Sequence, residues 1–113
     1  MSHTQSVPTL MVLAVPDCPN APLLLARLRR VLAARPALTP TYRTIHNEHE
    51  AERYGMHGSP TLLINGVDPF APPDQPTTLS CRLFHHPDGH IDGVPTLADL
   101  AAVLLPHDQG PVP

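Results

Sequence analysis

Two cysteines, Cys18 and Cys81, are the residues of this 113-residue chain best suited to nucleophilic or soft-metal chemistry. The first stands in Pro16-Asp17-Cys18-Pro19-Asn20-Ala21, directly before a run with helical periodicity. A thiol at a helix start feels the partial positive charge of N–H groups that lack an intrahelical partner, and this favours the thiolate, the form that attacks. Asp17 opposes that through its own charge, and no arginine lies near in sequence to counter it. Cys81 opens the apolar stretch Cys81-Arg82-Leu83-Phe84 and taken alone reads as a buried core thiol. Two cysteines are too few for a disulfide framework or a self-contained zinc site, which leaves core thiols or redox chemistry.

Three uses of Cys18 follow. It works alone, forming a mixed disulfide that an external thiol resolves; it pairs with Cys81, which needs α-carbons within about 7 Å; or it marks a helix start without turnover. The eight histidines offer no comparable pattern. His46 and His49 lie on a polar segment and His85, His86 and His90 crowd a turn, but neither group has the spacing of a familiar metal site, so no metal site is assigned. His57 is placed to raise the thiolate fraction of Cys18, and Arg27, Arg29 and Arg30 read as a wet helix face.

The elements that must position these thiols centre on Gly58-Ser59-Pro60-Thr61-Leu62-Leu63-Ile64-Asn65-Gly66. Ser59-Pro60 is a candidate cis bond, because an X-Pro peptide favours trans by only about 0.5 to 1 kcal/mol. Apolar residues suited to a buried strand follow, and Asn65-Gly66 is a strong hairpin signal. Upstream, 10–15 is a continuous apolar run of central-strand length. From Asn20 to Arg35 apolar residues fall at Leu24, Leu28, Val31 and Leu32, one helical face. Pro19 and Pro22 suit a first turn, so this helix is expected to begin at or just after Cys18 and to stop at Pro36. Residues 41–45 read as a second strand and 46–54 as a short helix ending at Gly55. Residues 68–80, with Pro69, Pro72, Pro73 and Pro76, are expected to be an insertion in the hairpin. Cys81 to Phe84 should resume a strand, and Thr96 should cap a last helix with Leu97, Leu100, Val103 and Leu104 on one side.

A chain of this length supports one domain, spanning 10–105 between a flexible start (1–9) and tail (106–113). All seven basic residues are arginine, against ten acidic ones, for a formal net charge of -3. Neither nucleic acid nor an anionic membrane is invited by that balance. The opening residues lack a basic, then apolar, leader pattern, and no stretch reaches the roughly 20 apolar residues that span a bilayer, so a cytoplasmic location is expected.

The Ser59-Pro60 segment and its Asn65-Gly66 turn resemble the cis-proline region of the thioredoxin-like fold, in particular its DsbA-like branch. The resemblance implies an α/β domain with a mixed four-stranded sheet flanked by helices. It also implies Cys18 as nucleophile beside Pro60, with Asp17, Pro19, Ser59 and Thr61 as substrate-binding neighbours. The second cysteine of the family's Cys-x-x-Cys is absent, since Ala21 stands there. Cys81 is then the candidate resolving thiol, no cofactor is expected, and the partner is a thiol-containing protein or a small thiol. Ser59 is expected to keep free backbone groups at a sheet edge where an extended peptide could pair.

Cys81-Arg82-Leu83-Phe84 with Val94-Pro95-Thr96 also resembles the corresponding segments of organomercurial (alkylmercury) lyases. That likeness implies two thiols, with an aspartate such as Asp17 or Asp68, handling a soft metal ion such as mercury(II). A non-catalytic binding module with the thioredoxin-like fold is the third reading.

Overall fold

Leu10–Ala14 (β1) has no polar side chain, so it can be buried on both faces, and it forms the centre of a three-stranded sheet. The structure, a computed structural model, describes residues 7–72, 74–85, 89 and 91–105. The expected tail, most of the expected flexible start and most of the histidine-rich turn lie outside the described residues. Pro40–Thr44 (β2) runs parallel to β1, with Val12 opposite Tyr42, and connects to it through the helix Ala21–Leu32 (α1). Glu48–Tyr54 (α2) and the short strand His57–Ser59 (β3) lead to the cis Ser59-Pro60 bond. Thr61–Ile64 (β4) then lies antiparallel to β1, with Val12 opposite Leu62.

The period of two along β1 sorts the core onto two faces. Leu10 and Val12, with Leu62, meet Leu24, Leu28, Val31 and Leu32 of α1 and Leu100 and Leu104 of the last helix, Leu97–Leu104 (α3). Leu13, with Leu63, meets Ile45, Met56 and Ala51 of α2 on the other side. The helical spacing read in α1 is thus the buried spacing, although the helix ends at Leu32, before Pro36. No helix among the described residues is long and apolar enough to cross a membrane.

Local signals set the helix ends. Asn47 Oδ1 accepts the Glu50 N–H at 2.9 Å, and Gly55 closes α2 at φ 82. Glu50 in turn accepts the His46 N–H, which holds its exposed carboxyl below the usual range, aided by the His46 ring. A depressed carboxyl stabilises the fold above its unfolded range and ceases to as pH falls through its folded value. Amides in the first turn of α2 are therefore expected to lose exchange protection at acid pH, and Glu50→Gln should flatten that dependence. At α3, Thr96 and Asp99 form a complete capping box, with Asp99 N–H donating to Thr96 Oγ1 at 3.0 Å and Thr96 N–H to Asp99 Oδ2 at 3.3 Å. Thr96→Ala is expected to lower stability by about 1 kcal/mol in a urea titration.

Three expectations are corrected. Among the described residues the expected four-stranded sheet is a three-stranded one, ordered β2-β1-β4, beside two separate two-stranded sheets. Asn65 (φ 53) and Gly66 (φ 80) do make the tight turn, but among the described residues the returning chain pairs only as the single bridge between Ile64 and Val67. The next strand is Thr78–Cys81 (β5), not Cys81 to Phe84, and it pairs in parallel with β3 rather than antiparallel with β4, so the expected 68–80 insertion is a crossover that ends in that strand. Phe84–His85 (β6) and Ile91–Asp92 (β7) form their own antiparallel pair. Finally, Arg27 is not on a wet face: its guanidinium donates to Pro95 O at 2.8 Å and lies 3.8 Å from Asp92, tying α1 to the start of α3.

Candidate functional site

Two successive turns carry the chain from β1 into α1. Cys18 N–H donates to Val15 O at 3.3 Å across Pro16 and Asp17, the latter at φ 59, and Ala21 N–H donates to Cys18 O at 3.3 Å. The helix proper begins at Ala21 with Asn20 as its cap residue, so Cys18 sits in the preceding turn and not at the first helical position. Asn20 makes no side-chain cap bond. Its amide lies instead against Gly93, where a β-carbon would collide with Asn20 Nδ2.

The reading of Cys81 as a buried core thiol is overturned. Cys18 is 9 % exposed and packs with Ala14 and Ala21, whereas Cys81 is exposed on β5; both are free thiols. Asp17 and Pro19 are exposed around Cys18. Burial raises the pKa of the Tyr42 phenol, and the charge of Cys18 raises it further. Cys18→Ser is therefore expected to lower the Tyr42 pKa part of the way towards its ordinary value. An ultraviolet titration in which it did not move would show that the two groups do not sense each other.

Ser59 links the two cysteine-bearing segments. Its Oγ accepts the Val15 N–H at 3.0 Å, at the entry to the Cys18 turn, while β5 places Cys81 opposite Ser59 in register. One extra residue on β5 between the pairs His57–Thr78 and Ser59–Cys81 makes a bulge. Ser59 is only 2 % exposed and its carbonyl accepts the Arg82 N–H at 2.9 Å. The expectation of free backbone groups at Ser59 is thus overturned for its carbonyl: the chain's own strand lies there. Pro60 and Thr61 are fully buried, and the His57 ring approaches Pro76 O at 3.3 Å.

Beneath this corner lies a polar network that local sequence patterns did not show. Arg82 donates to Asp68 Oδ2 at 2.8 Å, with a longer second contact of 3.5 Å to Oδ1, and to Thr61 Oγ1 at 3.2 Å. Thr61 Oγ1 donates to Gly58 O at 2.6 Å and accepts the His57 N–H at 3.2 Å. The guanidinium also stacks 4.6 Å from the centre of the Phe84 ring, which meets Phe70 edge-on. Gly58 makes room for Arg82: its φ is 110, and a β-carbon would stand 3.0 Å from Arg82 Cδ. Asp68 and Arg82 are fourteen residues apart. The one signal that could have pointed to them is two lone charges flanking apolar stretches.

A cavity of about 780 Å³, lined in part by Met11, Tyr54 and Arg53, contains neither cysteine. Among the described residues no group of three or more His, Cys, Asp or Glu side chains could hold a metal ion. Compared with protein-family models, with curated proteins and with solved structures, the chain gives no match.

Proposed function

We propose that this α/β chain is a thioredoxin-like thiol-active domain in which Cys18 and Cys81 form a reversible redox pair. The observation that carries the reading is the position of Ser59, hydrogen-bonded through Oγ to the entry of the Cys18 turn and in register with Cys81. The strand–helix–strand–helix order and the antiparallel strand that follows Pro60 support the same assignment. In the reaction, the Cys18 thiolate attacks one sulfur of an external disulfide, that S–S bond breaks, and one thiolate leaves and takes a proton. Cys81, as thiolate, then attacks Cys18 Sγ and displaces the second external thiol. The protein loses two thiol protons and two electrons, and the external disulfide becomes two thiols.

The test is oxidation of the reduced chain with hydroxyethyl disulfide, followed by peptide mapping. A Cys18–Cys81 crosslink that dithiothreitol reverses is expected. A product carrying only a mixed disulfide on exposed Cys81 would sink the proposal.

A further inference from the structure

We infer that Cys18 exchanges with small disulfides and thiols and not with an extended peptide docked along the edge of β3. The inference rests on the thiol reading above and names the substrate class for it. A peptide that adds to a sheet edge is held by main-chain hydrogen bonds to unpaired groups of the edge strand. At the edge leading into Pro60 the Ser59 carbonyl is already taken by β5, with Cys81 in register with Ser59 and the Arg82 N–H on that carbonyl at 2.9 Å. Displacing β5 would also pull on Arg82, whose side chain is 4 % exposed and paired with Asp68, itself 2 % exposed. Gly58 and Arg82 are in such close approach that little else can pass between them. Cys18, at 9 % exposure between the exposed Asp17 and Pro19, offers only a small surface, which suits a compact reagent better than a docked chain.

The experiment uses the Cys81→Ser chain, so that Cys18 is the single thiol. Replacing an exposed side chain of this size normally leaves stability close to that of the parent chain. Two mixed disulfides with thionitrobenzoate are compared, one of N-acetylcysteine amide and one of a longer peptide with a central cysteine and β-forming neighbours. In each case Cys18 takes the cysteine sulfur and thionitrobenzoate leaves as the coloured thiolate, so the leaving group is held constant. The longer peptide is expected to react no faster than the amide. A rate gain with length of about tenfold or more, the equivalent of about 1.4 kcal/mol, would show that backbone pairing assists the exchange and would overturn the inference while leaving the thiol reading intact. If neither reagent modifies Cys18, the thiol reading fails and this inference with it.

Discussion

Arg82→Ala is expected to destabilise the chain by about 3 to 5 kcal/mol, the range found when one partner of a buried ion pair is removed. The guanidinium and the Asp68 carboxylate are 4 % and 2 % exposed, so neither can fall back on water when its partner is lost. Truncation would strand Asp68, leave Thr61 Oγ1 without one donor and take the stacked cation from Phe84. Domains of this size are stable by about 5 to 15 kcal/mol in total, so a large share of the reserve would go. Urea denaturation should show a lower midpoint with little change in slope. The paired substitution Asp68→Leu with Arg82→Met should be milder than the single truncation, because it buries no unpaired charge. A single-variant loss under about 1 kcal/mol would mean that the pair is hydrated in solution.

Cys18→Ser is expected to reduce thiol–disulfide turnover to background, because the sulfur that forms the first mixed disulfide is gone. The two cysteine variants should not behave alike. Cys81→Ser keeps the first step and lacks the resolving thiol, so it should accumulate a mixed disulfide on Cys18 and release half the small thiol that the parent chain releases. Intact mass and released-thiol assays on the two variants separate these outcomes. Equal residual turnover in both would remove the ordered roles, and full turnover in Cys18→Ser would transfer the chemistry to Cys81 alone. Serine in place of the mostly buried Cys18 also places a hydroxyl beside Ala14 and Ala21, so far-UV circular dichroism should accompany the assay.

The signals that were legible in the sequence are the short-range ones. Leu24, Leu28, Val31 and Leu32 were readable as one face because helical periodicity is a property of neighbouring residues, and the same holds for the apolar β1 run. Gly55, Asn65-Gly66 and the Thr96 cap were readable because each solves a backbone geometry within four residues. The cis bond at Pro60 belongs to the same class.

Tertiary structure alone decided who pairs with whom. Thr78–Cys81 has an edge to offer, but nothing in its composition says whether it will meet β4 or β3; the crossover placed it on β3, where it covers the Ser59 carbonyl. Nothing in the sequence linked Arg82 to Asp68, which that crossover buried together and made partners. Cys81 came out exposed rather than buried for the same reason, since burial depends on which surfaces close over a residue and not on its sequence neighbours. Residue types and local spacing therefore determined β1, β2, β4, the three helices and the candidate thiols, but not β5, which was expected over Cys81 to Phe84 and lies at Thr78–Cys81. The long-range strand pairing, selected by the joint burial of two core faces and one ion pair, determined what surrounds those thiols.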